Sequence, residues 1–185
     1  MEIDAIKKKV LEDVDPETRR NKKKEMRIQR LIVTLQFLGI AAVVILIFYI
    51  LMGISTVDGN SMYPTLHDKD IVIYNRRCKE YKAGDIVAIA RPSGEDYVKR
   101  FIAVAGDMVN IQDGKVYVNG EEVRYDGEIG TTEKKSSKIT YPLRVGDKEV
   151  FVLGDNREVS RDSREIGTVK VSDIEGKIKW YMGRP

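Results

Sequence analysis

The sequence has little of two residue types on which many sites depend, since it contains one cysteine, Cys78, and one histidine, His67. A single cysteine cannot form an internal disulfide, so disulfides say nothing about the compartment of the protein. Structural zinc sites take about four ligands, and cysteine and histidine are the usual ones. The composition therefore argues against a structural metal site, and we expect neither a metal nor a cofactor.

Basic residues outside the first 30 positions are nearly balanced by acidic ones, so the net charge of +3 reflects a basic N-terminal arm. A nucleic-acid-binding protein would carry a basic face on a folded domain together with a recognisable motif. Here the arm is short and an apolar segment follows it, so we do not expect nucleic acid as a partner. The basic residues of the arm are Lys7, Lys8, Lys9, Arg19, Arg20, Lys22, Lys23, Lys24, Arg27 and Arg30.

A long run without any charged residue extends from Leu31 to Val57. About 20 apolar residues cross a bilayer as a helix, so this run is long enough with some tilt. The remaining sequence could not surround it as a buried core helix, and a cleaved signal peptide has a shorter apolar core of about 7–15 residues. We therefore predict an uncleaved transmembrane helix over residues 31–56.

The charges on either side of this run predict its orientation. The basic arm precedes it, and only Lys69 follows it closely. Because Lys and Arg mark the cytoplasmic side of a membrane helix, we predict a single-pass cell-membrane protein with a cytoplasmic N-terminus. Residues 1–30 would then be a cytoplasmic arm attracted to anionic lipid, and residues 57–185 an extracytoplasmic domain.

The arm itself has two helical patterns. Ile3, Ile6, Val10 and Val14 recur at helical spacing, which predicts a short surface helix on the inner leaflet. Asp15 followed by Pro16 is typical of an N-cap and the first position of a second helix.

The sequence after Val57 changes to short apolar runs rich in Val, Ile, Tyr and Phe, which predict β-strands. Asp-Gly and Asn-Gly steps in "QDGKVYVNGEEV" predict hairpins, and residues 126–140 are a polar segment that predicts an exposed loop. We expect one all-β domain of about 130 residues, with a single helical turn near residue 171. The strand-like runs begin at residues 70, 84, 97, 108, 115, 149 and 176.

Ser61, in the stretch "DGNSMYPTLHD" just after the apolar run, is a candidate nucleophile. A serine hydroxyl needs a base to take its proton, and histidine is the familiar one. His67 lies six residues away across a proline, which makes a triad a poor fit. Lysine is the other option, provided that burial lowers its pKa towards neutrality.

Such a lysine occurs in "DYVKRFIAVAGD". Strand alternation places Lys99 on one face with Tyr97, Phe101 and Ala103, and Arg100 on the other. The alternative is a lysine that extends from a strand edge to solvent, as lone lysines in strands usually do.

A third stretch, "GDNREVSRDSREIG" at residues 154–167, follows a strand-like run and is dense in small and ionisable residues. This density indicates a polar network, and the alternative is a solvated charged loop.

Together these stretches resemble the type I signal peptidases, and the single N-terminal anchor resembles the Gram-positive branch. "GNSMYPTL" is similar to the serine box of that family, "GDIVAI" to the next box, "YVKRFIAVAGD" to the lysine box and "GDNREVSRDSREIG" to the last box. The resemblance covers roughly residues 57–167. It implies an all-β extracytoplasmic domain, of the β fold shared with self-cleaving Ser/Lys repressors, behind one N-terminal transmembrane helix.

The resemblance also implies the catalytic roles. Ser61 would be the nucleophile and Lys99 the general base, while Ser160 would hydrogen-bond the Lys99 amine and orient it. Asp162 would pair with Arg164 to hold the last box in shape. Further supporting residues would be Asp155, Asn156, Gly59 and Met62.

One oxyanion donor would be the Ser61 backbone N–H. The Gram-negative branch adds a serine hydroxyl two residues before the nucleophile, where this chain has Gly59. The resemblance therefore leaves the second donor to the backbone near Gly59.

The function implied is cleavage of N-terminal signal peptides from secreted preproteins by a monomer that contacts membrane lipid. Two alternatives stay open at this stage. A self-cleaving repressor of the related fold would need a DNA-binding domain where this chain has an apolar run. A non-catalytic anchored β-domain would need neither Ser61 nor Lys99.

Overall fold

A computed structural model describes residues 2–14, 16–78, 80–90 and 97–183 of the chain. The chain divides into two compact units, Met1–Phe48 and Tyr49–Pro185. The first unit is helical and the second is mostly β-sheet, which confirms the predicted fold class.

Two helices precede the β-domain, α1 over Glu2–Val14 and α2 over Pro16–Leu51. Pro16 is the first residue of α2, as predicted, because proline fixes φ at a helical value and has no N–H to leave unpaired. Asp15, the predicted N-cap, lies outside the described residues. Within the described part of the chain, one helical stretch, Glu17–Leu51, is long and apolar enough to cross a membrane by length and composition.

The helix ends at Leu51, earlier than the predicted end of the apolar helix at residue 56. Strand β1, Met52–Thr56, follows at once and pairs antiparallel with β2, Ile71–Asn75. Gly53 explains part of this change, because glycine is a poor helix former and a Cβ at this position would collide with the Tyr74 ring. The point at which the chain leaves the lipid stays a prediction.

The β-domain contains two antiparallel sheets among the described residues. The larger sheet has seven strands in the order β1-β2-β11-β3-β4-β9-β10, and the smaller has four in the order β7-β6-β5-β8. The remaining strands are β3 Ile86–Ile89, β4 Tyr97–Ala103, β5 Met108–Gln112, β6 Lys115–Val118, β7 Glu121–Val123, β8 Leu143–Arg144, β9 Glu149–Leu153, β10 Val169–Lys170 and β11 Ile174–Met182.

The predicted hairpins are confirmed in the smaller sheet. Asp113 and Gly114 join β5 to β6 with φ angles of 51° and 74°. Asn119 and Gly120 join β6 to β7 with φ angles of 55° and 89°. Two successive residues with positive φ are the signature of the tight turn whose twist matches that of the strands. The predicted helical turn is a 3-10 turn, Val171–Asp173.

Strand β4 lies between β3 and β9, and residues 98–103 are buried on both faces. Tyr97 and Phe101 share one face, as the alternation predicts, and both pack with the cluster of Val87. The placement of Ala103 on that face is wrong. A register shift between Phe101 and Ala103 in the pairing with β9 interrupts the alternation, so Ala103 packs in the cluster of Ile102.

The segment 126–140 is mostly exposed, as predicted, but its first half is anchored to the rest of the domain. Ile129 forms an isolated parallel bridge with Asn156, and Thr132 is buried. We refer to residues 126–135 as the strap.

Candidate active site

Ser61 lies in a turn that packs on the apolar core of the domain. Backbone hydrogen bonds from Val57 N to Asp70 O and from Lys69 N to Val57 O, both 2.8 Å long, close the base of the loop. The next residue, Met62, is completely buried. It packs in a cluster with Val57, Leu66, Val72 and Val98. Burial of Met62 fixes the turn, so the predicted supporting role of Met62 has a physical basis in packing.

Lys99 reaches Ser61 from strand β4. Its side-chain nitrogen Nζ donates to Ser61 Oγ over 2.7 Å and to the backbone oxygen of Val98 over 2.9 Å. Lys99 is 3% exposed, and its Nζ lies 5.1 Å from the centroid of the Tyr97 ring. A lysine extending to solvent is therefore the wrong interpretation of this position.

A cleft of about 370 Å³ opens over these two side chains. A substrate chain that enters it can therefore approach the hydroxyl and the amine together. The lining residues are Val57, Asp58, Gly59, Asn60, Ser61, Tyr97, Val98, Lys99, Val159 and Arg161.

His67 is not among the lining residues of this cleft. Its ring packs edge-on against Tyr63, and its Nδ1 lies 3.8 Å from Asp70 Oδ2. The side chain is largely exposed. This placement gives no support to a Ser-His-Asp triad.

Ser160 is buried next to the site, but the predicted hydrogen bond to the Lys99 amine is not made. The Ser160 hydroxyl has no hydrogen-bond partner among the described residues. Its position is nevertheless tightly set, because a Cβ at Gly154 would collide with Ser160 Oγ and with the Ser61 backbone oxygen. The close approach of Ser160 to Ser61 therefore requires glycine at position 154.

Asp155 connects three parts of the site. The Arg100 side chain donates to both carboxylate oxygens, from Nε over 2.7 Å and from Nη2 over 2.6 Å. The hydroxyl of Thr65, four residues after Ser61, donates to Oδ2 over 2.5 Å. Burial lowers the pKa of Arg100, but the Asp155 carboxylate outweighs it and raises the pKa above its ordinary value. The guanidinium therefore stays charged, and its contacts with Asp155 join β4, the serine turn and the last box.

Asp162 and Arg164 form the predicted pair, and both are fully buried. Arg164 Nε and Nη2 donate to the two carboxylate oxygens, each over 2.8 Å. The carboxylate also accepts the Gly154 N–H over 3.0 Å and caps the short helix α3, Ser163–Ile166. Burial alone would raise the pKa of Asp162, but the bonds and charge of Arg164, together with the Gly154 N–H and the nearby Ser160 hydroxyl, outweigh burial and hold that pKa below its ordinary value.

Asn156 acts through its backbone. Its N–H donates to the Ser61 backbone oxygen over 3.1 Å, and its carbonyl accepts the Ser160 N–H over 3.0 Å. These two bonds connect the nucleophile to Ser160 through one residue.

Gly59 has a positive φ of 79°, a value that glycine adopts without strain. Its N–H donates to Asp68 Oδ1 over 2.7 Å. This hydrogen bond, the largest effect on Asp68, lowers the pKa of that carboxyl. The Gly59 N–H is therefore already engaged, and a second oxyanion donor from the backbone near Gly59 stays a prediction.

Sequence reasoning missed Arg100, Thr65 and Gly154 as parts of the site. Arg100 carried a signal, since a charged side chain within a strand that is apolar on both sides needs a buried partner. Thr65 and Gly154 carried none, because their roles depend on which distant segments meet. Among the described residues, no group of three or more His, Cys, Asp or Glu side chains could hold a metal ion.

Comparison with known proteins gives the family. The profile of the family described as "Signal peptidase, peptidase S26" matches residues 28–182. The chain belongs to this family.

Signal peptidases I of known sequence are similar to the chain over most of their length. One from Bacillus amyloliquefaciens is 36% identical over 137 residues, which are 68% of this chain and 73% of that protein. Signal peptidase IB of Staphylococcus aureus is 34% identical over 142 residues, 68% of this chain and 74% of that protein. A solved structure of signal peptidase I from Enterococcus faecalis aligns at 30% identity with a TM-score of 0.46, over 55% of this chain and 98% of that one.

Membership of the signal peptidase family makes the chain a serine endopeptidase, a hydrolase of peptide bonds. The N-terminal apolar helix and the signal peptidase relatives together indicate a membrane-anchored protein.

Proposed function

We propose that this membrane-anchored endopeptidase removes N-terminal signal peptides from exported preproteins, with Ser61 as nucleophile and Lys99 as general base. The observation that carries the proposal is the 2.7 Å contact between Lys99 Nζ and Ser61 Oγ at one cleft. A nucleophile and its base within hydrogen-bond reach are the signature of covalent catalysis by serine.

The reaction runs in two steps. The neutral Lys99 amine takes the Ser61 proton as Oγ attacks the carbonyl carbon of the scissile bond. The resulting lysine ammonium protonates the leaving amine, and the signal peptide stays attached to Ser61 as an ester. Water then gives a proton to Lys99 and attacks the ester carbonyl, the lysine ammonium passes that proton to Ser61 Oγ, and the signal peptide leaves with its new carboxylate.

The supporting residues hold this pair in place. Asp155 ties the serine turn to β4 through Thr65 and Arg100, so the nucleophile and the base belong to one rigid frame. Asp162 and Arg164 hold the last box, which carries Ser160. The Ser61 backbone N–H is proposed as one oxyanion donor, and the second donor is unassigned.

The anchor gives the enzyme access to its substrate. A signal peptide crosses the bilayer with its own apolar core, and its cut site follows a few residues later. Ser61 follows the last residue of α2, Leu51, by ten positions, a stretch that spans at most about 35 Å. Enzyme and substrate in one bilayer therefore search in two dimensions, which raises their effective concentration.

Cleavage of a synthetic preprotein by the full chain in detergent tests the proposal. We expect Ser61→Ala and Lys99→Ala each to lower kcat/KM by at least about a thousandfold, because neither group works alone. The double variant should be no slower than either single variant, since the two residues act as a unit.

The matched controls are Ser137→Ala and Lys115→Ala, which remove an exposed serine and an exposed strand lysine. Both controls should cleave at the wild-type rate. Wild-type turnover in Ser61→Ala or in Lys99→Ala contradicts the proposed dyad.

A further inference from the structure

Lys135, at the end of the strap, reaches into the last box. Its side-chain nitrogen Nζ donates to the backbone oxygens of Glu158 and Ser160 over 2.9 and 2.7 Å. The side chain is partly buried. One ammonium therefore holds two carbonyls of the segment that carries the Ser160 hydroxyl.

The strap is fixed to the same segment at several points before Lys135. Ile129 N donates to Asp155 O, and Arg157 N donates to Ile129 O, each over 2.9 Å. The Arg157 side chain donates to Thr132 Oγ1 over 2.7 Å and to Glu128 Oε2 over 2.6 Å. Because these bonds anchor the strap, the backbone that carries Lys135 is held in place, in contrast to that of an exposed lysine on a free loop.

Lys135 forms its direct hydrogen bonds with backbone carbonyls, while the charged side chains near it affect its pKa. Burial lowers the pKa of Lys135, and the positive charge of Arg164 lowers it further, while Asp162 and Glu165 offset part of this effect. The direct hydrogen bonds found for the ammonium go to carbonyl oxygens of the last box. Hydrogen bonds that involve a charged donor are about twice as strong as neutral ones, so they restrain that backbone firmly.

The restrained carbonyl belongs to a chain of contacts that ends at the nucleophile. Ser160 N donates to Asn156 O over 3.0 Å, and Asn156 N donates to Ser61 O over 3.1 Å. On its side-chain face, Ser160 lies against Gly154. A shift of the Ser160 backbone would therefore move its hydroxyl relative to Ser61.

We propose that Lys135 is a positioning residue for the peptidase reaction, and that it acts by holding the backbone of Glu158 and Ser160 so that the Ser160 hydroxyl keeps its place beside the Ser61 backbone. The inference rests on the proposed function. The strap shows no catalytic motif, and the proposal gives it a role in catalysis.

The test uses the full chain in detergent with a synthetic preprotein. Lys135→Met keeps most of the side-chain length and removes the charged donor. We expect kcat to fall about tenfold, because the loss displaces the Ser160 hydroxyl, and KM to rise by no more than about the same factor, because Val159 of the restrained segment also lines the cleft. Lys135→Arg keeps a cation that can donate to both carbonyls, and it should recover most of the rate. Lys138→Met, an exposed lysine on the same segment, is the matched control and should cleave at the wild-type rate.

A double variant separates positioning from a general loss of structure. If Lys135 acts through Ser160, then Lys135→Met in a Ser160→Ala background should change kcat by no more than about twofold. A wild-type kcat in Lys135→Met would overturn the inference, and so would an equal fall in both backgrounds. Ser61→Ala is measured in the same assay, and wild-type cleavage by that variant contradicts the dyad itself, whatever the result at Lys135.

Discussion

The Ser160 hydroxyl is buried without a hydrogen-bond partner in the part of the chain that the structure describes. Such a group costs about 1–3 kcal/mol of stability, and folded proteins retain few of them. A Cβ at the neighbouring Gly154 would collide with this hydroxyl and with the Ser61 backbone oxygen, so the two serines lie close together. A hydroxyl kept at this cost beside a candidate nucleophile is best explained by its use during the reaction.

Ser160→Ala should therefore separate stability from activity. Because the hydroxyl makes no direct hydrogen bond in the resting state and adds only a minor part of the lowering of the Asp162 pKa, the free energy of unfolding should change by no more than about 1 kcal/mol. Turnover should fall about tenfold if Ser160 orients the Lys99 amine during the reaction, through a bond that the resting structure does not contain. Denaturant unfolding and preprotein cleavage measure the two effects on the same sample. A destabilised variant with normal turnover would mean that Ser160 has only a structural role.

Functional residues differ in how well their roles can be predicted from the sequence. Lys99 could be singled out because it lies in a strand-like run that is apolar on both sides and shares a strand face with uncharged residues, and the structure places it on Ser61. Lys135 could not, because a lysine within a polar segment looks solvated whatever it binds. The difference is physical: burial of Lys99 follows from adjacent residues, whereas the contacts of Lys135 depend on a segment more than 20 residues away.

The short helix α3 shows how an element depends on one ionised group. Asp162 accepts the N–H of Arg164 as the N-cap and binds its side chain twice. The folded pKa of Asp162 is lower than its value in an unfolded chain, which is about 3.9. Its stabilising effect is therefore complete above that unfolded value and is lost as the pH falls through the folded one.

Asp162→Asn should lower the free energy of unfolding at pH 7 by about 3 kcal/mol, because it leaves the Arg164 guanidinium buried without its carboxylate. The difference between wild type and variant should shrink as the pH falls below about 4. Denaturant titrations of the full chain in detergent from about pH 7 to 3 measure it. Asp147→Asn, at an exposed position, is the control. A difference that is constant over this range would rule out the ionised pair as its source.

Elements were predicted well where local signals repeat and poorly where a distant partner decides. The hairpin turns follow from Asp-Gly and Asn-Gly steps, whose φ requirements are local. The end of α2 does not follow from a local signal. Met52–Thr56 is apolar enough to continue the helix, and it becomes a strand through pairing with β2. The register shift in β4 likewise depends on β9.

The whole molecule should have a fixed orientation in the membrane. The arm carries the basic residues and the β-domain carries the cleft, so the arm should be cytoplasmic and the domain outside. In a Cys78→Ser background, Glu121→Cys places a thiol on an exposed strand of the β-domain, and Lys23→Cys places one on the arm. A membrane-impermeant maleimide should label Glu121→Cys in intact, wall-stripped cells, and Lys23→Cys only after the membrane is opened. The reverse pattern would place the cleft in the cytoplasm and exclude the proposed role in export.

Strand β11 links the support of the active site to a segment far along the chain from Ser61. This strand pairs with β2 on one side and β3 on the other, so the seven-stranded sheet has no continuous middle until Ile174–Met182 is in place. One of its residues, Ile178, packs against the cluster that supports the Ser61 turn. The turn that carries Ser61 follows the first strand of the β-domain but rests on the last strand of the described residues, so a chain in which β11 has not paired lacks the complete support of its nucleophile.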